Sequence, residues 1–337
     1  MGITEEDGRM EFIAADAAGH EMGFIPESTV DIEIGENNNF ELKIPTGAWD
    51  KEKYGFGNRI YIPGTEYGGL MEDLEVNTRM KEVIWRGYTW RGLLSQKIVE
   101  PPVESDHLVL NGELNTVIRQ LIGKQFDNLV VVDNEVTDVI ISNWQVDRYV
   151  TLYDAIMKIL DAYGYRLNIY YKQEEYPQVG AVHLKAVKIV DYSDDIEYSQ
   201  DSQLNFAVRN YKTGINHLVC CGTGQNEERT VLHLYAQKDG NIGTTPYYTG
   251  LAERTAVYDY SNAEPDKLME DGIKKLQELV NYSSINILAE SRNLELGDII
   301  GGFEEITGTT VKQPVAGKIL RIEDEKATIE YKVKGAE

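Results

Sequence analysis

Apolar and polar positions alternate through much of the first hundred residues. Val30, Ile32 and Ile34 alternate with Asp31 and Glu33, and Phe40, Leu42 and Ile44 alternate with Glu41 and Lys43. Successive side chains on a strand point to opposite faces, so each run offers one apolar face. Between the runs, Glu36-Asn37-Asn38-Asn39 supplies residues that tolerate left-handed backbone, which predicts a hairpin with one side buried. Further strands are expected at Arg59–Ile62, Met71–Asn77, Lys81–Tyr88 and Lys97–Val99, punctuated by Pro63-Gly64 and Gly68-Gly69. Many short strands at this spacing point to a barrel or a sandwich.

The period changes after Pro101-Pro102. Leu114, Val117, Ile118, Leu121 and Ile122 share one face of a helix that Gly123 can end. A strand follows at Leu129–Val132. A second helix opens at Thr151, with Asp154 three residues on as a variant capping box. Its apolar stripe is Leu152, Ile156, Ile159 and Leu160, and Gly164 stands where a C-terminal cap belongs. Strands at Tyr165–Tyr171 and Val182–Val190 complete an α+β segment with its own small core. Strand character returns at Phe206–Val208, Ile215–Cys221 and Val231–Ala236, separated by the Gly222-Thr223-Gly224 turn and the Gly240–Gly250 stretch. A third helix is expected from about Pro265 to Tyr282, Pro265 suiting a first helical position. The last strands are Ser284–Ala289, Asp298–Ile300, Val315–Ile322 and Ala327–Val333.

Composition narrows the class. At 337 residues the chain exceeds one compact core, and roughly 150 residues per domain suggests two or three. Apolar residues make up 42%, enough to fill those cores. No run approaches the roughly 20 apolar residues that cross a bilayer, so no membrane insertion is expected. Met1-Gly2-Ile3-Thr4-Glu5-Glu6-Asp7 lacks the features of a signal peptide, so synthesis and folding in a bacterial cytoplasm are expected. The net charge is −23, from 56 acidic and 33 basic residues, with no Lys/Arg cluster of the kind that grips a phosphate backbone. Specific nucleic-acid binding is therefore not expected. Acidity serves either solubility or a surface that repels DNA.

Chemistry finds little to stand on. The only cysteines, Cys220 and Cys221, are neighbours whose side chains leave opposite faces of a strand; two buried thiols are expected. His20, His107, His183, His217 and His233 form no HExxH, HxH or zinc-spaced cluster. A Cys–His pair between His217 or His233 and the cysteines is conceivable, but buried thiols beside strand histidines are the simpler account. No GxSxG is present. Gly222-Thr223-Gly224 lacks the remaining glycines of a phosphate loop and is followed by Glu227 and Glu228, which reads as a plain turn. Pairs such as Glu304-Glu305 arise by chance among 56 acids. Tyrosine is abundant, at 21 copies, and Tyr170-Tyr171 and Tyr247-Tyr248 suit either a carbohydrate or protein interface or strand packing. No catalytic, cofactor-binding or metal-ligating residue is assigned, and no cofactor is expected.

Four stretches together resemble the hub and tail-associated proteins of tailed phages and prophages. They are Ile44-Pro45-Thr46-Gly47-Ala48-Trp49 leading to Arg59-Ile60-Tyr61-Ile62; Trp85-Arg86-Gly87-Tyr88-Thr89-Trp90-Arg91-Gly92-Leu93-Leu94 ending at Pro101-Pro102; Thr151-Leu152-Tyr153-Asp154-Ala155-Ile156 through Tyr163-Gly164-Tyr165-Arg166-Leu167; and Leu296-Gly297-Asp298-Ile299-Ile300-Gly301, followed by Thr307-Gly308, Val315 and Lys318-Ile319-Leu320. Their order and spacing run along most of the chain. The resemblance implies a non-enzymatic hub at the tail tip or baseplate: a homotrimeric ring that matches the sixfold tail tube, contacts tail tube, tape measure and tip proteins, and lines the DNA channel. It also implies an α+β, mainly β fold, with two tube-like β-barrel domains and an inserted small α+β domain. The boundaries would be 1–98 with 205–252 for the first barrel, 99–204 for the insertion, and 253–337 for a helix and the second barrel. Two rivals stand beside the hub: a tail-associated peptidase or cell-wall hydrolase, and a carbohydrate-binding tail module built on the tyrosines.

Overall fold

A computed structural model describes residues 10–26, 28–173, 179–193, 205–211, 214–237, 241–280, 282–288, 294–304, 309–323 and 326–333. Outside these fall the N-terminal Met1–Asp7 stretch, Gly240, Ala289, Glu305 and Thr307-Gly308. The class is mainly β within α+β, with 44% strand and 18% helix. By packing the chain forms two units, 1–206 with 286–334 and then 207–285.

In the first unit the expected hairpin is Thr29–Ile34 and Asn39–Pro45, in register Val30↔Leu42 and Ile32↔Phe40. Its inward residues Val30, Ile32, Ile34, Phe40, Leu42 and Ile44 are all buried. Each stabilises the sheet by about 1.5–3 kcal/mol through apolar area withdrawn from water. Asn38 takes the left-handed turn position, and its side chain bonds both the N–H and the carbonyl of Gly35 at 2.9 Å. The hairpin extends through Glu82–Tyr88 to Asp73–Asn77 on one side. On the other it pairs with Thr309–Glu323, which continues to Lys326–Val333 and then Tyr282–Leu288.

That pairing corrects the expectation of two tube-like barrels, since no sheet closes on itself among the described residues. The N-terminal hairpin and the C-terminal strands, read from sequence as separate barrels, share one sheet. The reason is a common apolar face: Leu320 lies opposite Ile32 and Ile322 opposite Val30, all in one core with Leu42 and Trp85. The sheet ends at Asp73–Asn77, where Asp73 and Glu75 leave a charged edge that disfavours further pairing.

A second sheet orders Glu21–Phe24, Ile13–Ala15, Arg59–Tyr61 and Gly68–Leu70. Gly68-Gly69, expected as punctuation, lies inside a strand. An added Cβ at Gly68 would stand 2.7 Å from Trp90 Nε1, so close approach rather than a turn demands glycine there.

The helices follow the sequence closely. Helix α1 (Trp90–Ser95) was not expected; Thr89 caps it by accepting from Gly92 N at 3.3 Å. Helix α2 (Leu114–Ile122) buries the expected Leu114, Val117, Ile118, Leu121 and Ile122, and Gly123 ends it at φ 53°. Helix α3 (Leu152–Ala162) opens at Thr151, whose Oγ1 accepts from Asp154 N at 3.0 Å, and Gly164 follows at φ 71°. Strands Val130–Val132, Gly180–Lys188 and Tyr165–Gln173 form a sheet beside them.

This α+β segment does not keep a core to itself. Ile13, Tyr61, Trp90, Leu93 and Leu94 belong to the same buried cluster as Leu114, Ile156, Leu167 and Leu184. Tyr61 stacks on Tyr171 with ring centroids 3.9 Å apart, and Trp90 on Tyr171 at 5.5 Å.

The second unit has a four-stranded sheet ordered Ile242–Gly243, Val231–Ala236, His217–Cys221, Thr255–Asp259. Helix α4 (Pro265–Leu279) starts on Pro265 as expected and ends three residues short of Tyr282. Leu268 and Leu276 pack with Leu218, Cys220 and Leu234 beneath it. Gly272 allows the contact, because a Cβ there would be 2.7 Å from Cys220 Sγ.

Candidate functional site

The histidines bear first on catalysis. His20 pairs with Asp16 at 2.9 Å, His107 reaches the Val146 carbonyl at 3.2 Å, and His183 Nδ1 meets Asp133 at 2.7 Å. Only His217 and His233 come together, Nε2 to Nδ1, at 2.9 Å. His217 Nδ1 faces Glu253 at 2.8 Å and the Thr255 hydroxyl at 3.0 Å, and Tyr235 stacks on the ring at 4.3 Å. In a hydrolytic triad one imidazole nitrogen faces the orienting carboxylate and the other a nucleophile. Here the second nitrogen faces another histidine.

Alternation along His217–Cys221 buries Cys220 under α4 and leaves Cys221 half-buried on the same side as His217. Burial pushes the Cys220 thiol up to about 11, away from the thiolate a nucleophile needs. No hydrogen bond joins a histidine to either cysteine among the described residues. Among those residues, too, no three His, Cys, Asp or Glu side chains gather as a metal site. At Gly222-Thr223-Gly224 the Gly222 and Thr223 N–H groups are spent on the carbonyls of Thr230 and Ala263 at 2.8 and 3.1 Å, as a turn requires. Glu304-Glu305 falls outside the residues whose side chains are described.

The polar chemistry concentrates instead in the first unit. Pro63 to Tyr67 forms a tight turn, with Ile62 N donating to the Tyr67 carbonyl at 2.9 Å and Thr65 Oγ1 donating to the Ile62 carbonyl at 2.9 Å. Backbone bonds between Gly64 N and Tyr171 O, and between Tyr171 N and Thr65 O, both 2.9 Å, dock the turn on Tyr165–Gln173. The turn drives Glu66 inward, its side chain only 4% exposed. Its two oxygens meet Arg91 Nη2 at 2.9 Å and Lys318 Nζ at 2.6 Å. Lys318 also holds Glu295 at 2.7 Å, and Arg91 donates to the Leu167 carbonyl at 3.2 Å.

Burial alone raises the Glu66 carboxyl, but Lys318 and Arg91 outweigh it and hold the group down at about 2. Burial lowers Lys318 and Arg91 in turn, and Glu66 more than reverses that, keeping both cations charged. A second buried pair joins Arg166 Nε to Asp298 Oδ1 at 2.8 Å. The same oxygen accepts from Val190 N at 3.0 Å, and Asp298 is 1% exposed.

These pairs link the stretches singled out in the sequence. Arg91 follows Trp90 in the second stretch and Lys318 closes the fourth; Glu66 joins them. Arg166 of the third stretch meets Asp298 of the fourth. Trp85, Trp90 and Leu94 are buried core residues. Sequence reading missed Glu66, because nothing in its surroundings marks it among so many acids.

Beside the quartet of Glu66, Arg91, Lys318 and Glu295 opens a cleft of about 630 Å³, lined among others by Tyr67, Asn168, Tyr170, Lys185 and, from the quartet, Glu295 and Lys318. Of the Tyr170-Tyr171 pair, Tyr171 is fully buried and Tyr170 faces the cleft, its hydroxyl donating to Asp133 at 2.7 Å. Tyr247-Tyr248 is elsewhere, in the second unit, with Tyr247 exposed. The cleft offers hydrogen-bonding groups and balanced charge rather than a nucleophile with its base.

No protein-family model matches the chain, and no curated protein sequence does. Solved structures do. The 43 kDa tail protein of prophage MuSo2 from Shewanella oneidensis superposes with a TM-score of 0.54 at 10% identity, over 96% of this chain and 98% of that one. A tail protein from Neisseria meningitidis MC58 gives 0.49 at 12% identity, over 96% of both chains. Prophage tail protein gp18 from Listeria monocytogenes EGD-e gives 0.46 at 12%, over 96% of this chain and 94% of that one. At 10% identity what is shared with the first is the fold, along nearly the whole of both chains: this chain has the mainly-β, α+β fold of a phage-type tail protein.

Proposed function

We propose that the chain is a structural, non-enzymatic component of a phage or prophage tail: a hub protein at the tail tip. Three copies would form a ring that adapts the sixfold tube and lines the DNA channel. Tail tube, tape measure and neighbouring tip proteins would be its partners. The observation that carries this reading is the reciprocal superposition on the MuSo2 tail protein, over 96% of this chain and 98% of that one. Two features fit it. The sequence stretches that resemble those of hub proteins serve folding here, through buried rings and ion pairs. The net charge of −23 suits a wall along which DNA must slide without adhering. Native mass by light scattering over a wide concentration range tests the ring. A trimer, or a monomer that shifts towards one as concentration rises, is the expected result; a dimer overturns the threefold reading.

A further inference from the structure

We infer that the cleft beside Glu66 is a binding site for an uncharged saccharide. The inference goes beyond the tail-hub reading and does not depend on it, since a single copy of the chain holds the whole cleft.

Three features of the cleft specify the ligand. The first is an unused hydroxyl. Tyr67 is 94% withdrawn from solvent, being 6% exposed, yet it lines the cleft and its hydroxyl has no hydrogen-bond partner among the described residues. The ring is what burial covers; the hydroxyl oxygen itself still meets water through the cleft, free to donate to and accept from a ligand there. Nearby, Lys318 Nζ lies 5.4 Å from the Tyr67 ring centroid and pairs with Glu66 and Glu295.

The second feature is the set of groups around it. Asn168 accepts weakly from Arg166 at 3.5 Å, and its amide N–H groups are unused among the described residues. Lys185 donates to Glu135 at 2.8 Å and keeps further donors. Glu295 uses one oxygen on Lys318, leaving the other to accept. Donors and an acceptor thus converge on one space, the pattern that neighbouring sugar hydroxyls, each donor and acceptor at once, can satisfy.

The third feature is charge. Glu66 and Glu295 balance Lys185 and Lys318 along the lining, and each ammonium already holds a carboxylate. A phosphate or carboxylate would meet two glutamates, and a cation would compete with lysines already in place. An apolar ligand would strip water from the partly exposed Lys185 and Glu295 without replacing their hydrogen bonds. The volume of about 630 Å³ lies within the range of small-molecule sites and accommodates one or two sugar rings. His183 stacks on the Tyr170 ring at 5.2 Å and Lys185 lies 5.9 Å from its centroid, so recognition falls to hydrogen bonds rather than to ring stacking.

Saturation-transfer NMR on the full chain tests this with D-glucose, N-acetyl-D-glucosamine and L-rhamnose as probes, and with inorganic phosphate as the charged control. At least one sugar is expected to bind, while phosphate does not. Tyr67→Phe is expected to weaken that sugar about tenfold, the worth of one hydrogen bond. The same variant should melt with the wild type, since the hydroxyl it removes supports nothing in the fold. Asn168→Ala, read the same way, guards against a local fault at Tyr67. No binding by any of the three sugars overturns the site. So does sugar binding that both variants leave intact, or that Tyr247→Ala abolishes instead, and so does binding of phosphate in preference to sugar.

Discussion

In the first unit, segments far apart in the chain meet through buried charges as well as a shared apolar face; in the second, a sheet and the helix that follows it meet through apolar side chains alone. Glu66, Arg91 and Lys318 come from a turn, a short helix and a C-terminal strand, and each is at most 5% exposed. Beneath α4 the contacts are Leu218, Cys220, Leu234, Leu268 and Leu276, and the ion pairs described in that unit, such as Arg229–Asp259 and Lys274–Glu270, are at the surface. The contrast follows from connectivity. A helix next to its sheet in sequence closes a short loop and needs only a matching apolar stripe. A turn that must seat against a strand from the other end of the chain gains from directional bonds, which reject a slipped register as apolar contact does not. Such pairs contribute little net stability when intact but cost a great deal when one member is lost.

The largest expected effect is therefore at Glu66. Glu66→Gln leaves Arg91 buried without its anion and Lys318 with Glu295 alone, and is expected to cost about 3–5 kcal/mol in urea denaturation. The pH dependence sharpens the test. Folding lowers the Glu66 carboxyl from 4.5 to about 2, so its contribution is fully present above pH 4.5 and is lost as pH falls through about 2. The stability difference between wild type and Glu66→Gln should shrink over that window. A difference constant from pH 7 to 2 would show that Glu66 is not held as an anion.

The second unit should respond to volume rather than charge. Gly272→Val pushes a side chain into Cys220 and Leu234, at an expected cost of about 1–3 kcal/mol from overpacking. Hydrogen exchange at Val231–Ala236 and His217–Cys221 should speed up accordingly. Adding Cys220→Ala makes room and should restore part of the loss; no recovery would mean that α4 does not press on the sheet there.

Local regularities made much of this readable in advance. The hairpin with its Asn38 turn, the faces of α2 and α3, the Thr151 cap and the start of α4 all follow from spacing within a few turns of chain. The strands Ile13–Ala15, Glu21–Phe24, Leu108–Glu113 and Ile140–Val146 were missed, being short or mixed in pattern, and Gly68–Leu70 because its glycines imitate a turn. What lay beyond reach was pairing at a distance. Nothing near Thr309–Glu323 announces that it joins Thr29–Ile34, so the single open sheet, the Glu66 quartet and the cleft beside it were invisible together. The absence of a Cys–His dyad is legible only in part: alternation separates Cys220 from His217, but Cys221 shares the histidine's side of the strand, and only the geometry shows His217 engaged elsewhere.

The smallest expected effect lies on the strand that carries Lys318 and isolates the variable that matters. Lys318 shares its side of that strand with buried Leu320 and Ile322, an apolar row that a lysine joins only because Glu66 waits for it. Arg321 points the other way, 43% exposed, and pairs with Asp31 at 3.3 Å and Glu330 at 3.1 Å. By pairing alone the two cations look alike, each lying between two carboxylates. Water makes the difference: at Arg321 it screens the attraction and stands ready to replace a lost partner. Arg321→Ala is therefore expected to cost about 0–1 kcal/mol, and less still in molar salt. A loss as large as that from Glu66→Gln would mean that the number of ion pairs, rather than their burial, decides how these strands are held, and the contrast between the two units would then need another cause.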